Sequence, residues 1–262
     1  MTTFQEYARY YDLLYRDKDY GAETEYLNHL IQTHRPGATT ILNLGCGTGS
    51  HDFMLAEKGY RVTGTDISAD NIALAEKKLA DQTSPAGGLH FMTADICELR
   101  LQRTFDAVIS VFHVMSYLTD NAGLRAAFQT AGEHLVPGGV FIFDCWYGPA
   151  VLTQLPATRV KRIDADDLSL TRIAQPDIDF NANRVAVHYE LIVEEKQRRD
   201  VQRIRETHRM RYLFQPEIEN WLGCTGLELE SSEEWLSGRP LGPDTWSGCF
   251  VARKRPDAPD EY

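Results

Sequence analysis

Cations are scarce in this sequence, cysteines are few, and long apolar runs are absent. Of 262 residues, 27 are Lys or Arg against 38 Asp or Glu, a formal net charge of −11. Neither half of the chain is basic. That argues against an unaided nucleic-acid surface, because duplex binding is dominated by phosphate neutralisation. Purely apolar runs such as Val140–Phe143 last a few residues, far short of the ~20 a membrane-spanning helix needs. Met1-Thr-Thr-Phe-Gln-Glu6 is polar and acidic, so no signal peptide is expected. The five cysteines (Cys46, Cys97, Cys145, Cys224 and Cys249) are odd in number and form no Cys-x-x-Cys pair. They read as reduced thiols of a cytoplasmic protein, with no metal site. Internal repeats and low-complexity segments are also missing, and the tail 256–262 reads as flexible.

What remains is ordinary globular material, 43% hydrophobic and 25% charged. Short apolar runs (Thr40–Leu44, Arg61–Asp66, Leu89–Ala94, Phe105–Phe112, Gly139–Asp144) alternate with amphipathic stretches (His51–Lys58, Ala69–Asp81, Asn121–His134). This rhythm predicts a parallel sheet covered by helices on both faces. Ser68 is placed to cap the second of these helices, and Pro137-Gly138-Gly139 to break the chain before the fifth strand. After Pro149 the pattern becomes extended. Ser169–Ala174, Val185–Glu194 and Arg203–Phe214 predict an inserted antiparallel sheet of three or four strands, with a turn at Asn181-Ala-Asn183. Gln215–Gly223 then reads as a helix, and Leu227–Glu233 and Gly248–Lys254 as a last pair of strands, making the core sheet seven-stranded.

The strongest chemical signal is Gly45-Cys46-Gly47-Thr48-Gly49 between a predicted strand and a predicted helix. Glycines there allow a sharp turn and close approach of a ligand to the backbone, beside the free N–H groups of a helix start. Ser50 stands where a dinucleotide fingerprint has its third glycine, and no Gly-Lys-Ser/Thr follows, so the loop is not a Walker loop. Asp66 ends the second strand, where an acid can accept from both hydroxyls of a ribose. Asp95 follows the third strand, where a carboxylate can meet an adenine amino group. Three such positions at the carboxyl ends of successive strands share the crevice in which open α/β sheets bind ligands. His51, just after the loop, reads as a surface or helix-start residue. Lys196 to Arg211 packs seven cations against two acids. It reads as a solvated strand edge partnering Glu190, Glu194 and Glu195, or as an anion-holding or subunit-contacting strand.

These motifs resemble those of class I S-adenosylmethionine (SAM)-dependent methyltransferases. The resemblance rests on Asn43-Leu-Gly45-Cys46-Gly47-Thr48-Gly49, Asp66-Ile67-Ser68, Ala94-Asp95-Ile96, Phe105-Asp106-Ala-Val-Ile-Ser110 and His134-Leu-Val-Pro137-Gly138-Gly139. It implies a seven-stranded Rossmann-like α/β sheet with the antiparallel sheet inserted. Residues 1–150 would form the SAM-binding core with an N-terminal helical lid, 151–213 the insertion, and 214–255 the helix and strands completing the core. Gly45, Cys46, Gly47, Asp66, Ile67, Asp95, Ile96 and Val111 would hold the cofactor. Asn43 departs from the pattern, since the family usually has Asp or Glu there, and implies weaker binding at the SAM amino end.

A narrower resemblance is to bacterial methyltransferases acting on nucleotide-linked amino sugars. It is carried by Tyr10-Tyr11-Asp12-Leu-Leu-Tyr15, Asp19-Tyr20, Glu23, Val111-Phe112 through Tyr117-Leu118, and Asp144-Cys-Trp146-Tyr147-Gly-Pro149. It implies that Tyr11 and Tyr20 close over SAM and that Tyr15 and Trp146 face a small polar acceptor. Relatives carry an Arg shortly after a Gly-Pro near the last strand. Here Gly242-Pro243 is followed by Asp244-Thr-Trp246, which leaves Arg203–Arg211 as the alternative cationic segment. An amine acceptor must lose a proton, whereas a hydroxyl needs a general base, for which His113 and Tyr117 are the candidates beside the fourth strand. A homodimer through the insertion is expected from its strand edges. The rival expectations are a nicotinamide-dependent oxidoreductase and a non-catalytic SAM-binding protein. Nucleic-acid methylation is disfavoured by charge and because Ser110-Val-Phe-His113 stands where amino-methylating nucleic-acid enzymes carry Asn/Asp-Pro-Pro-Tyr/Phe.

Overall fold

The computed structural model describes residues 10, 13–14, 18–81, 88–196 and 200–255. The chain runs α1 (Tyr20–His34), β1 (Thr40–Leu44), α2 (Ser50–Glu57), β2 (Arg61–Asp66), α3 (Ala69–Ala80), β3 (Leu89–Thr93), β4 (Phe105–Ser110), a 3-10 turn (Val114–Tyr117), α4 (Asn121–Glu133), β5 (Leu135–Trp146) and α5 (Gly148–Gln154). Four long strands follow: β6 (Arg159–Asp164), β7 (Leu168–Asp179), β8 (Arg184–Glu195) and β9 (Asp200–Arg211). The chain closes with α6 (Gln215–Cys224), β10 (Leu227–Glu234) and β11 (Ser247–Lys254).

Seven strands form one sheet in the order β10-β11-β5-β4-β1-β2-β3, parallel from β5 to β3, with β10 and β11 antiparallel. Its two faces follow the period-2 rule. Leu42, Leu44, Val108, Phe141, Phe143 and Phe250 pack under α4 and α6. Ile41, Val62, Ala107, Ile109, Val140 and Val251 pack under α1 and α2. The chain reverses its order of strand addition between β1 and β4, which opens a crevice at their carboxyl ends. Ser68 caps α3 as expected, its Oγ accepting from the Asn71 amide at 3.2 Å.

Pro137-Gly138-Gly139 does not break the chain before β5. The strand starts at Leu135, opposite Phe105, and the pairing resumes at Val140 opposite Ala107. The extra residues bulge out, where a proline costs no ladder bond, and the Gly138 carbonyl accepts from Arg253. β4 ends at Ser110 rather than Phe112, because Phe112 and His113 both turn to positive φ (66° and 64°).

The second sheet, β6-β7-β8-β9, is antiparallel throughout. Val185, Val187, Leu191 and Val193 alternate along its inner face and are buried, with the partly buried Tyr189 among them. β6 has no counterpart among the expected strands; its residues are mainly charged, and only Ile163 is buried. Tyr10 and Leu14 pack on this inner face with Ile163, Leu170 and Ile204, and Lys161 Nζ donates to the Leu14 carbonyl at 2.6 Å. The insertion leaves and rejoins the core at neighbouring points, since Leu213 N donates to Trp146 O at 2.9 Å and Gly148 N to Leu213 O at 2.8 Å.

Phe128, Phe141, Phe143 and Phe250 form a buried aromatic stack, with the Phe141 and Phe143 ring centroids 4.8 Å apart. Phe143→Ala is expected to destabilise the protein by about 3–5 kcal/mol, read from urea unfolding. A loss under 1 kcal/mol would contradict close packing there.

Candidate active site

The crevice is a cavity of about 550 Å³, within the usual range for small-molecule sites. Its floor is the glycine loop. Gly45 sits at φ +87°, and a Cβ there would strike the Val114 side chain at 2.6 Å. Gly47 sits at φ +57° with nothing within 4 Å of a Cβ position, so the loop leaves unfilled space on its cavity side. Thr65 O accepts from both Gly45 N and Cys46 N, at 2.7 and 2.8 Å, and this fixes the loop to β2.

Asp66 joins the loop to the next strand. Its Oδ2 accepts from Gly47 N at 2.9 Å and its Oδ1 from Ser68 N at 2.8 Å. Burial pushes its carboxyl above the usual range, against the pull of those bonds. Asp95 accepts from Cys97 N at 2.8 Å, and Ile96 lies beside it. Ile67, 63% exposed, lines the rim. Of the residues singled out in the sequence, Tyr20, Gly45, Cys46, Gly47, Asp66, Ile67, Asp95, Ile96, Val111, His113, Tyr117 and Trp146 all line this one cavity. Tyr11 and Tyr15 lie outside the described residues.

His51 is not a surface residue. It is 6% exposed, and its Nε2 lies 2.7 Å from Glu23 Oε2, while its ring meets Tyr20 edge-on. Lys18 Nζ stands 2.9 Å from the same Glu23 oxygen and 3.5 Å from the centre of the Phe112 ring. Burial alone would raise the Glu23 carboxyl, but its bonds to His51 and Lys18 hold it below the usual range. Burial lowers the Lys18 pKa, with Glu23 and Asp144 opposing. Sequence reasoning gave Lys18 and Glu23 no separate role, because nothing local links them to His51.

At the other end, His113 N donates to Asp144 Oδ1 at 2.9 Å, and the ring Nδ1 lies 2.7 Å from Asp144 Oδ2. Ser247 Oγ donates to the same Oδ2 at 3.0 Å. Asp144 is buried, yet His113 and these bonds keep its carboxyl below the usual range. Tyr117, Trp146, Tyr189, His208 and Met210 make the facing wall, so the second sheet supplies part of the cavity. Among the described residues, the cations of the 196–211 run are not on that wall. Along β9, Ile204, Glu206, His208 and Met210 alternate with the more exposed Arg203, Arg205, Thr207 and Arg209. Arg205 pairs with Glu190 at 2.8 Å, and Arg211 bonds Asn121 and Glu217 at the sheet's end.

Beneath the loop, Asn43 Nδ2 donates to Asp52 Oδ2 at 2.9 Å. Asp52 is fully buried, and burial raises its carboxyl to about 7, with Asn43 opposing. A raised carboxyl favours the folded state while protonated. Stability is therefore expected to fall by a few kcal/mol as pH climbs from about 4 through about 7. Asp52→Asn should flatten that slope in a series of thermal melts, and an unchanged slope would contradict the assignment.

The sequence matches the methyltransferase domain family over residues 41–139. It is 32% identical over 240 residues to the dTDP-3-amino-3,4,6-trideoxy-alpha-D-glucopyranose N,N-dimethyltransferase of Streptomyces venezuelae, covering 90% of this chain and 96% of the relative. The dTDP-3-amino-3,6-dideoxy-alpha-D-glucopyranose N,N-dimethyltransferase of Streptomyces fradiae is 29% identical over 250 residues, covering 95% and 92%. The crystal structure of Streptomyces venezuelae DesVI superposes with a TM-score of 0.77 at 28% identity, over 94% of this chain and 97% of that one. The sugar N-methyltransferase KedS8 from Streptoalloteichus sp ATCC 53650 gives 0.78 at 26%, over 94% and 92%. The glycine loop, the acids after β2 and β3, and this likeness along nearly the whole chain converge: the chain belongs to the SAM-dependent methyltransferases, in the family of the bacterial amino-sugar N-methyltransferases.

Proposed function

We propose that this methyltransferase acts on the amino group of a nucleotide-linked deoxy amino sugar. The observation that carries the reading is the likeness to dTDP-amino-sugar N,N-dimethyltransferases along 90% of the chain, inserted sheet included. The nicotinamide alternative falls with the family membership and with Ser50 in place of the third glycine.

The residues present fit SAM. Gly47 leaves open space at the loop, Asp66 is an anchored carboxylate on the cavity wall, and Asp95 stands after the next strand. In this reading Asp66 holds the ribose hydroxyls and Asp95 the adenine amino group, between the apolar faces of Ile67 and Ile96. Gly45, Cys46 and Val111 line the passage to the methionine part, with Tyr20, Lys18 and His51 around its charged end. Tyr11 joins this cover on the sequence resemblance alone. When bound, SAM supplies a methyl group already activated on a sulfonium. The protein's task is then to orient a nucleophile and remove its proton, and positioning contributes several kcal/mol. His113 is held by Asp144 through Nδ1, which leaves Nε2 to accept the acceptor's proton. Tyr117 orients the amine and Trp146 flanks the sugar, with Tyr15 joining it on the sequence resemblance alone.

Two finer readings accompany this one. The β6 and β9 edges of the second sheet are unpaired among the described residues, which supports a homodimer. All five cysteines are free, which supports a reducing, cytoplasmic setting.

Isothermal titration should give micromolar SAM affinity, and Asp66→Ala should weaken it by more than about tenfold, since each buried charged hydrogen bond contributes about 1.5–3 kcal/mol. With a dTDP-linked 3-amino-deoxy sugar, mass spectrometry should show addition of methyl groups. His113→Ala should lower kcat by about 10²-fold with SAM affinity nearly unchanged, the usual size of a general-base effect. An unaltered kcat would remove His113 from the chemistry.

A further inference from the structure

We propose that His208, backed by Glu206, fixes the direction of the Tyr117 hydroxyl and so presents an oxygen lone pair, rather than a hydrogen, to the methyl acceptor. The inference rests on the reading of Tyr117 as the group that meets the acceptor amine.

The three side chains come from two separate parts of the fold. Tyr117 ends the 3-10 turn after β4, while Glu206 and His208 sit two apart on β9 of the inserted sheet. The Tyr117 hydroxyl lies 2.9 Å from His208 Nδ1, and His208 Nε2 lies 3.3 Å from Glu206 Oε2. Tyr117 and His208 both line the cavity, together with Tyr189 and Met210. His208 is 5% exposed, and the Tyr189 ring meets it edge-on at 4.8 Å.

The partners assign the tautomer. A carboxylate only accepts, so Nε2 carries the hydrogen that faces Glu206. In a neutral ring Nδ1 then accepts, and Tyr117 donates to it. The phenol oxygen keeps its lone pairs and can accept an N–H of the amine, leaving the amine's own lone pair available for attack. Protonation of His208 reverses this. Nδ1–H then donates to Tyr117, the phenol hydrogen swings away, and that hydrogen competes for the amine lone pair. Among the described residues, the charged groups that face the ring include Glu206 on its own strand and Arg172 on β7, whose guanidinium lies 5.5 Å from the Tyr189 ring on β8. Tyr117 and Tyr189 are further titratable side chains against it. Burial lowers the pKa of His208 and Arg172 adds to this, while Glu206 opposes both. The balance favours the neutral ring.

His208 is thus a positioning residue, acting through Tyr117. Its test has one arm that needs neither SAM nor acceptor. Long-range 15N–1H spectra of the histidine rings, with His208 assigned by its loss in His208→Gln, should show an unprotonated Nδ1 at pH 7.5. That nitrogen should shift in Tyr117→Phe. A protonated Nδ1, or no response to Tyr117→Phe, would overturn the proposal whether or not an amino sugar is the substrate. The second arm is kinetic, with the dTDP-linked 3-amino-deoxy sugar as acceptor. His208→Ala should lower kcat about tenfold, less than the ~10²–10⁴ of a general acid or base because His208 acts only through Tyr117, and His208→Gln, whose Oε1 can accept from Tyr117, should restore most of it. Protonation of the general base His113 gives the kcat–pH profile an acid limb of its own, so loss of the His208 ionisation should make that limb shallower in both variants than in the wild type. If the limb of His208→Gln coincides with that of the wild type, His208 has only a structural role and the proposal fails. Absence of methyl transfer by the wild type refutes the amino-sugar reading, while the spectra still decide the hydrogen-bond direction.

Discussion

One buried carboxylate holds the reactive end of this protein together. Asp144 lies on β5 and takes bonds from His113 beyond β4 and from Ser247 on β11, so three strands meet at one side chain. Phe112 and His113 are consecutive residues at positive φ, a conformation that costs of order 1–3 kcal/mol each outside glycine. The Asp144 bonds to the His113 amide and ring offset that strain, and they turn the imidazole toward the cavity. Without the carboxylate, the turn has little reason to leave the strand where it does.

The glycine-loop side of the cavity was legible because it is written locally. The glycine loop, Asp66 and Asp95 each follow a strand within a few residues, and the sheet's topology places strand ends side by side. The inner face of β8 was equally plain, since alternation over five residues has one structural meaning. What stayed hidden were the partners of His113, Tyr117 and His51, for a physical reason: they meet only through the tertiary fold. Asp144 sits in an apolar run and reads as a strand residue. Glu206 and His208 lie within a cationic run whose arginines dominate its charge, and only the pleat separates the two sets. His51 finds Glu23 across 28 positions of sequence. β6 was missed because a charged edge strand lacks the apolar signal of a buried one.

The net charge of −11 reads differently once the side chains are placed. Glu23, Asp52, Asp66 and Asp144 are withdrawn from bulk water and bonded, each bearing on the cavity or its floor. Their carboxyls are displaced in both directions, up where burial prevails and down where histidine, lysine or hydroxyl partners outweigh it. The acidity of the chain therefore belongs partly to its interior, where a sulfonium cofactor finds carboxylates and aromatic faces.

The pairing of Trp146 and Gly148 with Leu213 has an evolutionary corollary. The insertion departs from the core and returns to it at one clamped point, so the seven-stranded sheet closes regardless of what the excursion contains. Lengthening such a loop adds only about 0.6 kcal/mol per doubling to closure. The wall that the second sheet gives the cavity is in effect an exchangeable cassette. The shape of the cavity can diverge there by substitution, insertion or deletion, while the register of the seven-stranded sheet stays untouched.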